Sequence, residues 1–514
     1  MVRWPRRFGG PVQTSLTPSR GSRGNRTTQS RVLIYADARM APSDPKKPNT
    51  PNDPSILRVD NPFTLETACE VPLADESRVN EVLDAARSAA KAFRHSTIAE
   101  RRALCERACD AFLAEKETIA RDITRAMGKP LGQARGEVDG MVGRARHMIS
   151  IAEEHLADIV LPEKDNFVRR IRKEPLGVVL DLPAWNYPLL TAVNAVFPAL
   201  LAGNAVIVKH SPRTPLAGQA FARAFEKAGA PKGLVQSLDC SHETSERMVG
   251  DARVDHVLFT GSVFGGHRIQ KAAADRFLHV GLELGGNDPA YVAPDVDVAK
   301  VAEQIVDGAM YNAGQSCCAV ERVYAHTSVY DALVAACEPL VRAYILGNPE
   351  SEGTTLGPIA QPWHPAELLA LVTDATGRGA RLVHGGRAMQ CEGKGRFFEA
   401  TLLSDVPHDA ELFRRESFGP ILPIARVASD DEALARMNAS TLGLTASVWT
   451  KDRDRAERFA RELEAGTVYM NRCDALDPAL PWSGVKDSGR GLTLSALAFD
   501  SLTRPKAVHF RLAL

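Results

Sequence analysis

From Asp75 onward Val79, Val82, Leu83, Ala86, Ala90 and Phe93 recur every three or four residues behind an Asp-Glu-Ser start, a spacing that predicts an amphipathic helix. The same period continues over residues 101–125 and predicts a second helix, ended by the turn residues Gly128-Lys129-Pro130. Within 174–286 the pattern changes, and short β-branched runs alternate with helical ones. Residues 178–180 precede a helix over 189–201, residues 205–208 precede one over 217–228, and residues 256–259 lead through Thr260-Gly261-Ser262 into one over 266–277. Alternation of this kind predicts an α/β fold whose parallel sheet is covered on both faces. A second alternating region spans 290 to about 450, beyond the Gly-rich 281–286, so two Rossmann-like α/β domains with a cleft between them are expected. The end of the chain alternates as Val508, Phe510 and Leu512 after Pro505, a strand with no sequence-local partner, expected to pair across a subunit interface.

The chain of 514 residues is long enough for two or three domains and a sizeable core. With 44% hydrophobic and 25% charged residues it has the composition of a globular protein, and its longest apolar stretch, 187–201, is too short to span a membrane. The formal charge of zero is unevenly spread. Residues 1–36 carry seven arginines and no acid, leaving 56 basic against 63 acidic residues in the remainder, which argues against nucleic acid as a partner. Nine cysteines, an odd count without a CxxC pair, suit a reducing cytoplasmic setting and supply no metal site. Cys105 and Cys109 stand one helical turn apart without a third ligand nearby and read as buried packing.

Residues 1–55 are rich in Arg, Ser, Gly and Pro without apolar periodicity and are expected to be a disordered extension. Two readings stand for the first 40: a mitochondrial transit peptide, which would place the protein in the matrix, or an upstream start before Met40. Pro5, Pro11 and Pro18 break the amphipathic helix that the first requires.

Three segments carry chemistry. Cys317 lies in Gly314-Gln315-Ser316-Cys317-Cys318, Glu283 in Leu282-Glu283-Leu284-Gly285-Gly286, and Asn186 in Ala184-Trp185-Asn186-Tyr187-Pro188. Together they offer a soft nucleophile, a general base and an amide donor for an oxyanion. Alone, a cysteine is ordinarily a small buried hydrophobe and a glutamate a solvated surface charge. No GxGxxG follows a predicted strand, but Gly261, Ser262 and Gly266 open a helix after a strand, where backbone donors can face a phosphate.

These motifs, with Gly128-Lys129-Pro130, Gly203-Asn204, Lys209, Phe259-Thr260-Gly261-Ser262, Glu416-Ser417-Phe418-Gly419-Pro420 and Gly466-Thr467-Val468, resemble the aldehyde dehydrogenases in order from about residue 57 to the C-terminus. The resemblance implies a dinucleotide-binding domain over 56–152 and 174–285, a catalytic domain over 286–487, and oligomerisation segments at 153–173 and 498–514 that form a small β extension. It further implies a homodimer or homotetramer that oxidises an aldehyde with NAD or NADP. Cys317 would be the nucleophile, Asn186 with the Cys317 N–H the oxyanion donors, and Glu283 the base that hydrolyses a thioester, since members that transfer the acyl group to coenzyme A lack that base. Lys209, Gly261, Ser262, Gly266, Glu416, Phe418, Trp185 and Leu284 would bind the cofactor. Tyr187, Leu190, Ser316 and Trp482, with Asn194 and Leu476, would line the substrate tunnel, and Arg472 and Asp474 stand near enough to meet a charged substrate such as a semialdehyde. Cys318 is an alternative nucleophile or a resolving thiol. Relatives that prefer NAD place an acid three residues after the lysine, whereas this chain has Pro212, which admits NADP. Gly265 replaces a bulkier residue. Two other functions fit the same residues, a thiolate esterase needing no cofactor and a crystallin-like protein without activity.

Overall fold

The computed structural model describes residues 53–513. The transit-peptide and Met40 readings, and the expected disorder of residues 1–52, lie outside the described residues, while Asp53, Pro54 and Ser55 make a turn whose Ser55 carbonyl accepts from Leu73 N–H at 2.7 Å.

The first helix, Glu76–Phe93, buries the residues its spacing selects, Val79, Val82, Leu83, Ala86, Ala90 and Phe93, and Asp75 caps it by accepting from Arg78 N–H. Residues 101–125 are not one helix. The chain forms Ile98–Ala114, opened by a Thr97/Glu100 capping box, and then Lys116–Met127. Glu115 at the junction is ion-paired to Arg223 and Lys227 of a neighbouring helix, a long-range tie that apolar periodicity does not record. Cys105 and Cys109 are fully buried as packing residues.

A six-stranded sheet runs in the order Gly489–Arg490, His279–Glu283, His256–Thr260, Val178–Leu182, Ala205–Val208, Val235–Ser237, parallel except for the first. Val178–Leu182 pairs on both sides, so the strand order reverses there, and the carboxyl ends flanking that point form the usual ligand crevice. The helices Pro188–Leu201 and Pro215–Lys227 follow their strands with proline in the first turn. The next helix, Val263–Ala272, starts three residues before the predicted one and stops five short of it, because Ser262 caps it at Gly265 N–H.

Beyond Leu284–Asn287 the chain enters a seven-stranded sheet ordered Arg381–His384, Thr401–Ser404, Ile421–Val427, Val320–His326, Asp288–Val292, Thr445–Trp449, Thr467–Met470. Each sheet is wrapped into its own hydrophobic core. After Asp487 the chain returns to extend the first sheet at Gly489–Arg490.

The final strand is not an orphan. Thr503–Arg511 pairs antiparallel along its whole length with Phe167–Pro175, itself beside Ile159–Val160. That partner lies more than 300 residues earlier, so local sequence carries no sign of it. No helix among the described residues is long and apolar enough to cross a membrane.

Candidate active site

Two cavities meet at Cys317. The larger, about 540 Å³, lies over the carboxyl ends of the parallel strands and is lined by Trp185, Asn186, Lys209, Gly261, Ser262, Glu283, Leu284, Cys317, Glu416 and Phe418 among others. The smaller, about 300 Å³, is lined by Tyr187, Leu190, Asn194, Ser316, Leu476 and Trp482, and it shares Thr260, Glu283, Leu284 and Cys317 with the first. Residues spread over some 300 positions thus converge where the cavities join. Gly266 is an exception among the residues expected to bind the cofactor. It is buried beneath Leu284, where a Cβ would come within 2.7 Å of the leucine side chain, and it lines neither cavity.

Cys317 follows a strained turn. Asn312 and Ala313 adopt left-handed φ values of 54° and 55°, and the Asn312 amide holds the turn by donating to the carbonyls of Asn186 and Gln315 at 3.1 and 3.0 Å. The Glu-Leu-Gly-Gly run lies flat against it. A Cβ at Gly286 would fall 2.3 Å from the Cys317 carbonyl oxygen, and one at Gly285 would fall 2.3 Å from the Glu416 carboxylate, so only glycine lets the two segments close.

Glu283 ends its strand buried, one oxygen accepting from the Thr493 hydroxyl and the other from Thr260 at 3.3 Å. Burial pushes its proton affinity above the ordinary carboxylate range, and the two threonine donors pull against that rise. Cys318 is buried beside Cys317 and donates to Asp474 at 2.9 Å, an oxygen that also accepts from Ser316 at 3.1 Å. Hydrogen bonding with Cys317, burial and the Asp474 carboxylate all raise the Cys318 thiol well above its usual value, so it holds its proton more tightly than a free thiol. Asp474 therefore lines the smaller cavity already engaged, while Arg472 is exposed and lines neither.

The larger cavity has the donors that a dinucleotide needs. Lys209 is buried and forms no ion pair with the described residues, and burial lowers its proton affinity. Glu416 accepts from Gly286 N–H at 3.0 Å with one oxygen only. Trp185 and Phe418 meet edge to face at 5.5 Å along one wall. The Phe259 ring fills the space beside Gly261 and Gly265, where a Cβ would fall 2.6 and 2.7 Å from its tip, which accounts for glycine at 265.

A sequence profile of the Aldehyde dehydrogenase family matches residues 50–508. The chain belongs to the aldehyde dehydrogenase family. An aldehyde dehydrogenase of Paenarthrobacter nicotinovorans is 36% identical to it over 82% of this chain and 93% of its own. A protein of Mycolicibacterium paratuberculosis named succinate-semialdehyde dehydrogenase [NADP(+)] is 35% identical, over 87% and 95%. The crystal structure of an NAD-dependent aldehyde dehydrogenase from Sinorhizobium meliloti superposes with a TM-score of 0.86 at 31% identity, covering 90% of this chain and 92% of that one. The protein is an oxidoreductase that acts on an aldehyde with NAD or NADP as cofactor.

Several residues of this aldehyde dehydrogenase's site were given no role by the sequence. Thr493 carries no motif, and Thr260 sits in the Phe-Thr-Gly-Ser run without an assigned role, yet both hold Glu283. Glu321 accepts from Ser417 N–H, the Ser417 hydroxyl and Phe418 N–H at 2.8–3.0 Å, fixing the segment that presents Glu416 and Phe418; burial pushes it up to about 7. Lys129, of the Gly-Lys-Pro motif, is buried in an ion pair with Glu137, lies 3.9 Å from the Tyr187 ring centre, and so underpins the Asn186–Tyr187 turn. Glu137 also accepts from Leu189 N–H at 2.8 Å, at the start of the following helix. Arg144 lines the smaller cavity, and only its place on the buried side of a long helix could have flagged it.

Proposed function

We propose that this enzyme oxidises its aldehyde to the free carboxylic acid through a thioester on Cys317, with NADP as the favoured cofactor. The observation that carries the reading is that Cys317 and Glu283 both line both cavities, so nucleophile and base face the cofactor side and the substrate side at once.

The Cys317 sulfur, as thiolate, adds to the aldehyde carbon and gives a thiohemiacetal oxyanion. The side-chain amide of buried Asn186 and the Cys317 N–H are the donors for that oxygen, and removing one such donor costs about 3–4 kcal/mol in comparable sites. Lys209, the start of the Val263–Ala272 helix at Ser262, Glu416 and the Trp185–Phe418 wall hold the dinucleotide, whose nicotinamide, when bound, accepts the hydride. Glu283 would then take a proton from water at its carboxylate oxygen as the water oxygen attacks the thioester carbon, and the C–S bond breaks to release the carboxylic acid and return Cys317 as thiolate. Glu283 is suited to that exchange because burial raises its proton affinity above that of an ordinary carboxylate.

Pro212 brings no carboxylate to the cavity wall beside Lys209 and Ser211; of the acids nearby, Glu246 is engaged by Arg268 at 2.7 Å and Asp239 accepts from Gln219 at 3.0 Å, which favours room for a 2′-phosphate. The names of several relatives, succinate-semialdehyde dehydrogenase [NADP(+)], favour the same cofactor and a semialdehyde substrate. Exposed Ile159, Val160 and Phe510 on the three-stranded sheet, with Leu512 just past its last strand, support a homodimer or homotetramer, and nine free cysteines support a cytoplasmic setting.

The test is a panel of aldehydes assayed with NAD and NADP in parallel. One reduced cofactor and one carboxylic acid per aldehyde are expected. Ester hydrolysis without formation of reduced cofactor from any aldehyde would overturn the reading in favour of a thiolate esterase.

A further inference from the structure

The smaller cavity contains a guanidinium that forms no ion pair with a described residue, although the carboxylates of Glu283 and Glu137 lie near enough to favour its charge. Arg144 projects into it from the Leu131–His155 helix, beside Cys317 and Glu283. Its Nη1 donates to the Leu190 carbonyl at 3.1 Å and to Asn194 Oδ1 at 3.2 Å. Among the described residues Nε and Nη2 make no hydrogen bond, and neither is among the nitrogens sealed from open space without a partner. These two atoms are adjacent, lie in one plane and point the same way, so they form the edge of a guanidinium that matches the two oxygens of a carboxylate.

Every other charge around the cavity is spoken for or turned away. Glu137 is paired with Lys129, Asp474 accepts from Ser316 and Cys318, and Glu283 accepts from Thr260 and Thr493. Asp307 is exposed at the end that opens onto a neighbouring cleft. A guanidinium taken largely out of water without an anion is unfavourable, and a ligand carboxylate removes that cost. We infer that Arg144 is the specificity-determining residue, its Nε–Nη2 edge receiving the carboxylate of a short ω-oxo acid whose aldehyde reaches Cys317. Asn194 is a positioning residue, since its Oδ1 directs the guanidinium. A cavity at the small end of ligand sites suits a substrate of a few carbons. This inference rests on the reading of Cys317 as nucleophile.

Succinate semialdehyde and butanal share a four-carbon chain and differ in the terminal carboxylate, so the ratio of their kcat/KM values isolates the anion. The unsubstituted enzyme is expected to favour the semialdehyde. Arg144→Gln should lower the ratio on the order of 10- to 100-fold, mainly through KM, and Arg144→Lys should restore part of it. Should the glutamine variant fail to fold, the unsubstituted enzyme still decides: propanoate should inhibit butanal oxidation more strongly than propanamide. An unchanged ratio in Arg144→Gln, or equal inhibition by acid and amide, overturns the inference while leaving the enzyme reading intact. Absence of reduced cofactor from both aldehydes overturns the two together.

Discussion

Replacing Thr493 by valine removes one hydroxyl and keeps the side-chain volume close to that of threonine. The hydroxyl donates to one oxygen of Glu283, and Thr260 reaches the other at the longer distance of 3.3 Å. A hydrogen bond to a charged group contributes about 1.5–3 kcal/mol, and 1.36 kcal/mol corresponds to one pH unit of titration. The donor favours the ionised carboxylate, so losing it adds to the upward push of burial. Glu283 acts as a base only when ionised, and its activity appears as pH rises through its titration. The acid limb of thioester hydrolysis should therefore move upward by roughly one pH unit or more in Thr493→Val. The assay is a pH profile of steady-state turnover for both proteins, paired with single-turnover formation of reduced cofactor, which reports the steps before hydrolysis. An acid limb that stays in place, or moves down, would refute Glu283 as the base.

Two further outcomes follow from the geometry. Pro212→Glu places a carboxylate in the cavity wall beside Lys209, and it should shift the NADP-to-NAD ratio of kcat/KM toward NAD on the order of tenfold or more, read from parallel titrations of the two cofactors. Glu137→Leu leaves Lys129 charged and unpaired beneath Tyr187 and should destabilise the enzyme by about 3–5 kcal/mol, whereas adding Lys129→Met should recover most of the lost thermal midpoint; equal losses in single and double variants would contradict the pairing.

Much of this was legible in the sequence because the signals are local. The apolar period of residues 79–93 and the β-branched runs at 178–182 and 205–208 report burial on one face or on both, and burial is what the structure shows. That Cys317, Glu283 and Asn186 would meet at one cavity was legible for a related reason: close approach of the two segments admits only glycine at Gly285 and Gly286, which mark the motif in the sequence. What escaped was set by contacts between distant segments. Glu115 breaks a continuous apolar period through ion pairs with residues about a hundred positions away, and Thr503–Arg511 finds its partner strand at Phe167–Pro175. Thr493 and Arg144 become visible only when the fold sets them against Glu283 and the substrate cavity, since nothing in their immediate sequence distinguishes them from ordinary helix or loop residues.

The central claim is that acyl transfer to Cys317 precedes hydrolysis by water that Glu283 activates. Glu283→Gln keeps the shape of the site and removes the base, so a single addition of aldehyde and NADP to that variant should produce a burst of one NADPH per site and leave the acyl group attached. Intact-mass and peptide-level measurement of the quenched protein tests this directly. The account predicts an added acyl mass on the peptide bearing Cys317, absent when Cys317→Ser is combined with Glu283→Gln; steady turnover without a trapped acyl group, or an adduct assigned to Cys318, would contradict it.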